Sequence, residues 1–143
     1  MGLRYAKGPY RESTGIPSSA FSKGDVLVYN SASSLSRMSD LGQDGAIIGV
    51  AKADSLESLD NLVPFVVALP GTVFWSDATA GGQFDGGDKR DLERTSANFI
   101  VHTSTNTPLV VIDHDGMSQE MITGSAVSQV LCMFDTNAML FSA

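Results

Sequence analysis

Short apolar runs recur along most of this chain, each closed by Gly, Pro, Asn or Ser. They fall at residues 25–30, 34–38, 46–51, 63–69, 72–75, 98–102, 109–113, 128–134 and 138–141. Their length and their Val, Ile and Phe content are those of β-strands, and no stretch carries the 3.6-residue period over three helical turns. One helical turn is expected at 55–61 and a short helix at 88–95. Pro64 points to an edge position for its strand, because proline has no N–H to give to a ladder. Pro70-Gly71 is a turn signal that predicts a hairpin between 63–69 and 72–75. Asp135-Thr136-Asn137 predicts another between the last two strands. Eight or nine short strands with no self-similar repeat predict an all-β domain, a β-sandwich or small barrel.

Residues 1–22 have no such period. Gly2, Gly8, Pro9, Gly15 and Pro17 break the text, while Tyr5, Tyr10, Ile16 and Phe21 are spaced along it. A disordered linker would lack those anchors. The expected organisation is therefore an extended N-terminal arm over 1–22, lying against its own domain or a neighbour, and a single β domain over 23–143. Residues 76–97, rich in glycine and then in charge, read as a long loop of the kind that often carries function.

Length and charge sharpen this picture. The 143 residues fit one domain with a real core, and no apolar run is long enough for a membrane helix. No continuous apolar stretch marks a secretory signal at the N-terminus. Net charge is −7, but residues 1–24 carry +3 and the remainder −10. An acidic body repels phosphate backbones and anionic lipid, so neither nucleic acid nor membrane is an expected partner. The basic segment is instead suited to an acidic partner surface. The single cysteine, Cys132, cannot form an internal disulfide, which suits a reducing cytosol.

Candidate chemistry is sparse. Asp113-His114-Asp115-Gly116 could ligate a metal or form an acid–base pair. Strand alternation sends His114 away from its two neighbours, and a strand ending at Asp113 would make this a polar turn with Gly116 at positive φ. The turn is the favoured reading. His102 is expected half exposed at a strand end. Asp85-Gly86-Gly87-Asp88 lacks the ligand spacing of a calcium loop. Asp113 with Glu120 is no more than two acids in an acidic chain. Cys132 lies in an apolar run and reads as a buried small hydrophobe. Trp75 reads as packing rather than a sugar platform. No catalytic residue, metal site or cofactor is expected.

Three stretches have a familiar order. They are Lys23-Gly24-Asp25-Val26-Leu27-Val28, Ile47-Ile48-Gly49-Val50-Ala51, and Val63-Pro64-Phe65-Val66-Val67-Ala68 followed by Pro70-Gly71-Thr72-Val73-Phe74. In this the chain resembles the small capsid decoration, or cement, proteins of tailed bacteriophages, over about residues 23–75. The resemblance implies a non-enzymatic β-rich protein on the outer surface of an assembled capsid. Its partner would be the major capsid protein, its place the virion, with assembly in the host cytoplasm. It also implies self-association, expected as a homotrimer. With the charge split, it assigns capsid binding to Arg4, Tyr5, Lys7, Tyr10, Arg11 and Phe21, and the oligomer contact to Phe74, Trp75, Met139 and Phe141. The alternatives are a carbohydrate- or receptor-binding β-module of a phage virion, with Trp75 as its platform, and a small hydrolase using Asp113 or His114.

Overall fold

A computed structural model of the chain describes residues 2–29, 34–38, 47–55, 62–78, 84, 86–101, 104, 107–114 and 129–140. The described residues form twelve strands in three antiparallel sheets, so the all-β expectation holds. One sheet has the spatial order β1 (Leu3–Lys7), β7 (Val73–Asp77), β12 (Gln129–Phe134), β11 (Leu109–His114), β8 (Lys89–Arg90). A second has the order β2 (Glu12–Gly15), β6 (Val63–Val67), β5 (Ile47–Ala51), β3 (Val26–Tyr29), β4 (Leu35–Arg37). A two-stranded ribbon pairs β9 (Leu92–Arg94) with β10 (Asn98–Ile100).

The second sheet closes on itself. Just past β2, the Leu35 N–H donates to Ile16 O and the Ser18 N–H donates to Leu35 O, both at 2.8 Å. Those two bonds join the chain leaving one edge strand to the other edge strand and make a small barrel. Alternation then sorts the side chains. Leu27, Leu35, Ile48, Phe65 and Val67 fill the barrel interior. Val26, Ile47, Val50 and Val66 face outward onto Phe74, Val130, Cys132 and Phe134 of the first sheet. Ile47 and Ile48 serve opposite faces although Val50 shares the face of Ile47, because the β3–β5 register shifts between Leu27 and Val28. With apolar packing on both faces, β5 is buried from end to end. β12 has only one covered face and alternates half-buried with buried residues.

The N-terminal segment is extended but does not stand off as a separate arm. β1 is an edge strand of the first sheet against β7, and β2 is an edge strand of the barrel against β6. Leu3 and Phe21 are core residues. An expected boundary at residue 22 is thus crossed by both sheets.

Four local expectations are corrected. The 63–69 and 72–75 strands do not form a hairpin: β6 belongs to the barrel and β7 to the other sheet. The Thr72 N–H donates to Leu69 O at 3.0 Å, and Gly71 has φ 87° after Pro70, a type II arrangement. Type II turns splay their flanking chains, whereas two-residue hairpins need the primed types. Here the turn sends the chain from one sheet to the other. Pro64 lies in an interior strand, not at an edge: beyond the last β5–β6 pair, Ala51 with Phe65, its carbonyl accepts from the Lys52 N–H at 3.0 Å, and only the return bond from a proline N–H is missing. The 88–95 stretch is β8 and β9 rather than helix: Gly87 N–H donates to Val111 O and Val111 N–H to Asp88 O, both at 2.7 Å, pinning the turn to β11. After β12 the chain makes no hairpin either. The Asp135 side chain caps a 3-10 turn, Thr136–Ala138, and Met139 then pairs in parallel with Ile47 of the barrel. Residues 56–61, where a helical turn is expected, lie outside the described residues.

The three sheets meet at Asp25, which is fully buried. Its Oδ1 accepts from Arg94 Nε at 3.0 Å and the Asn98 N–H at 2.9 Å. Its Oδ2 accepts from Arg94 Nη2 at 3.0 Å and the Ser22 N–H at 2.8 Å. Asn98 Oδ1 returns a bond to the Val26 N–H at 2.8 Å. Removing one partner of such a pair strands a charge in the interior, at a cost of about 3–5 kcal/mol. We therefore expect Arg94→Met to lower the unfolding free energy by that amount in equilibrium urea denaturation, and Asp25→Leu with Arg94→Met to cost less than either change alone.

Gly49 marks a second constraint. A Cβ there would stand 2.1 Å from Val66 O, a backbone atom of the neighbouring strand. Gly49→Ala must push β5 away from β6, so thermal unfolding of that variant should show a loss at the upper end of the ~1–3 kcal/mol typical of overpacking.

Candidate functional site

The residues assigned to docking by sequence separate into three groups. Phe21 is buried in the barrel interior and contributes no surface. Arg11 turns toward the barrel mouth. Arg4, Tyr5 and Tyr10 come together, and Lys7 lies exposed at the end of the same edge strand.

The meeting point is a hollow of about 270 Å³ between β1 and the barrel strands β5 and β6. Leu3, Val50 and Val66 form its apolar floor, and Arg4, Lys23 and Lys52 are among the residues that line it. A second hollow of about 350 Å³ adjoins it, sharing Arg4 and Lys23 and adding Ser22, Asp54 and Ser96. Arg4 and Lys23 therefore stand where the two open into each other. Sequence reading counted Lys23 among the basic residues but did not assign it a role, and it missed Lys52. Lys52 is separated from the basic segment by three strands in sequence, β3, β4 and β5, and the lateral pairing of β2 with β6 and of β6 with β5 brings it back.

An aromatic and ionic brace holds one wall. The Tyr5 and Tyr10 rings meet edge to face, centroids 4.7 Å apart and planes at 72°. Tyr5 also packs on the core and its hydroxyl donates to Gly8 O at 2.6 Å. The Tyr10 hydroxyl donates to Glu12 Oε2 at 2.8 Å and accepts from Lys52 Nζ at 3.1 Å. Lys52 Nζ reaches the same carboxylate at 2.9 Å. The hydrogen bond from Lys52, then that from Tyr10, holds the Glu12 carboxyl below its usual range, and Glu12 in turn raises the Lys52 ammonium. Because Lys52 is engaged with Glu12, Arg4 and Lys23 supply the uncompensated charge: neither side chain has a partner among the described residues. The Lys23 position is fixed through its backbone, whose N–H donates to Asp54 Oδ1 at 2.8 Å.

The residues assigned to an oligomer contact also divide. Phe74 and Met139 are core residues, not exposed ones. The apolar run Val73-Phe74-Trp75 gives no sign of which member faces inward, and register settles it: Phe74 opposes Cys132, on the core face, and packs edge to face on Phe134 at 5.4 Å. Trp75 opposes Arg4 and Leu131 and is half-buried on the outward face. Leu131 and Met133 share that face. The text of β12, apolar at every position from Val130 to Phe134, could have revealed it. Phe141 lies outside the described residues.

The other candidates carry little chemistry. β11 runs through His114, so the strand does not end at Asp113, and a register shift falls between Val111 and Asp113. His102, Asp115, Gly116 and Glu120 lie outside the described residues. Asp88 is bound to Arg90 at 2.7 Å beside the Gly87 turn. Among the described residues no three His, Cys, Asp or Glu side chains gather as metal ligands. Cys132 is fully buried with its Sγ 3.6 Å from Phe74 O, and burial pushes its thiol up to about 12.

That raised value has a definite consequence. The neutral thiol is favoured by folding, so its contribution to stability is intact below the ordinary thiol value of 9.0 and is lost as pH climbs toward about 12. At pH 8 the native protein should react with a disulfide reagent such as DTNB only as fast as it unfolds, and urea should accelerate the reaction to that of a free thiol.

In comparisons with known proteins, no family model matches this chain and no curated protein matches it either.

Proposed function

We propose that this chain is a non-enzymatic structural protein that binds the outer surface of an assembled tailed-phage capsid and stabilises it. The observation that carries the reading is that Arg4 and Lys23, cations with no partner among the described residues, line the same hollow as the Tyr5–Tyr10 brace on a chain of net charge −7. Rigid aromatic area flanked by arginine is what protein interfaces concentrate at their energetic centres. The cations steer an acidic partner surface into place and set orientation. The stretches that resemble capsid decoration proteins also form one continuous piece of the molecule, β3, β5 and β6 of the barrel and the crossover into β7. The partner on this reading is the major capsid protein, and the protein resides on the virion.

The same reading has the chain self-associate as a trimer. The face bearing Trp75, Leu131 and Met133 is the surface suited to that contact, because its half-buried apolar side chains are left outside the protomer's core. In light scattering the wild-type chain should have the mass of a trimer, and Trp75→Arg should shift it to the monomer. A wild-type monomer, free and on the shell, would count against self-association.

Deleting residues 1–22 is not a clean test of docking, since it strips an edge strand from each of the two five-stranded sheets. Charge reversal is. Arg4→Glu combined with Lys23→Glu should leave the circular dichroism spectrum unchanged. In co-sedimentation with capsids depleted of this protein, it should slow binding about tenfold and flatten its salt dependence. Undiminished binding by the double variant would move the docking surface elsewhere on the body.

A further inference from the structure

Among the described residues the barrel is stoppered at one end and open at the other. At the closed end Phe21 fills the interior, and its carbonyl accepts from the Ser55 N–H at 2.8 Å. At the open end lies a hollow of about 320 Å³, floored by Ile48, Phe65 and Val67. Tyr29 and Leu69, at the ends of β3 and β6, form its walls, and Arg11 and Ser13 rise from the β2 side.

This mouth combines two properties. Its floor is the barrel's own apolar core, so a ligand entering it leaves water for a hydrocarbon lining. Its rim carries a single cation that the fold aims there: Gly15, Ser13 and Arg11 alternate along one side of β2, and a Cβ on Gly15 would run into the interior side chain of Leu35 at 2.7 Å. Arg11 is anchored by its own backbone, whose carbonyl accepts from the Val67 N–H at 2.8 Å. None of the Arg11, Ser13 and Tyr29 side chains is bound to another described residue. A guanidinium beside an apolar floor pairs best with a planar carboxylate, in two parallel hydrogen bonds. Mouths of β-barrels are common ligand sites, and this volume is at the small end of their range.

We propose that the barrel mouth binds small amphipathic monocarboxylates. The aromatic or branched aliphatic body enters over Ile48, Phe65 and Val67, and the carboxylate pairs with Arg11, with the Ser13 and Tyr29 hydroxyls as further donors. The site is independent of the capsid reading: Tyr10 and Arg11 lie on opposite faces of their strand, one in the docking cleft and one in the mouth.

The test is an amide-resonance titration of the full chain with 3-phenylpropionate, its amide and acetate. The expected result is saturable shifts at Ser13, Tyr29, Val67 and Leu69 with 3-phenylpropionate. Affinity should be about tenfold weaker for the amide, for acetate and for Arg11→Gln, as befits loss of a charge-assisted bidentate pair or of the apolar body. Ser13→Phe, at an exposed position, should fill the mouth and abolish the shifts while leaving the remaining spectrum intact. The proposal is overturned by an absence of saturable shifts, by equal affinity for acid and amide or for acid and acetate, by binding unchanged in Arg11→Gln, or by shifts confined to the residues around Arg4 and Lys23.

Discussion

The Asp25 carboxylate and the main chain beside it are the constraint on which the three sheets depend. A buried negative charge is tolerable only when its oxygens are saturated, and here four donors from three parts of the chain must arrive together. Arg94 and Asn98 come from the two strands of the ribbon, β9 and β10, and Ser22 from the turn before the barrel. The main chain around Asp25 extends the junction: Gly24 O accepts from the Leu3 N–H of β1 at 3.0 Å, and Asp25 O accepts from the Ala51 N–H of β5 at 2.9 Å. Any rearrangement of one sheet against another would expose a donor or strand the acceptor. A purely apolar contact between sheets tolerates sliding. This one does not.

Such a junction also explains what was and was not legible in the sequence. Apolar runs bounded by turn residues located most strands, because each needs a hydrophobic face and a local stop. Partners of those strands depend on contacts distant in sequence, and there the reading failed. Pro70-Gly71 reads as a hairpin only if one ignores that type II geometry turns the chain between sheets. β8 and β9 carry Lys89, Arg90, Glu93 and Arg94, so a charged stretch looks like exposed helix. Their strand character comes from Leu92, which packs into the core, and from Arg94, which is consumed by Asp25. The clue available in sequence was the unbroken apolar text of β5, since a strand with no polar face must be covered on both sides.

Legibility of the site follows the same division. Arg4, Tyr5 and Tyr10, grouped in sequence because basic and aromatic residues cluster in one irregular segment, line one hollow in the structure. Their common location depends on β1 and β2 joining different sheets, with the chain crossing at Gly8 and Pro9. That crossing is held beside the other crossover: Thr72 Oγ1 donates to Pro9 O at 2.6 Å, and Gly8 packs so closely on Gly71 O that a Cβ there would stand 2.5 Å from it. Two inter-sheet crossovers thus brace one another, and the residues next to them inherit fixed positions. Lys52 could not be seen in sequence because its place beside Tyr10 is set by barrel register alone.

One short stretch of chain therefore serves two surfaces. Tyr10 and Glu12 face the cleft and Arg11 and Ser13 the barrel mouth, a separation that strand alternation imposes on any segment lying at a sheet edge. A disordered arm carrying the same residues could present them all to one partner, but only by giving up conformational freedom on binding. As an edge strand, the segment has already lost that freedom in folding, so each side chain meets its ligand from a fixed position. The cost is versatility: the basic residues cannot act together, because Arg4 and Lys23 are held on one side of the barrel wall and Arg11 on the other. In a chain of net charge −7, this split sets cationic side chains on two surfaces of different shape, one a cleft between sheets and the other an apolar socket.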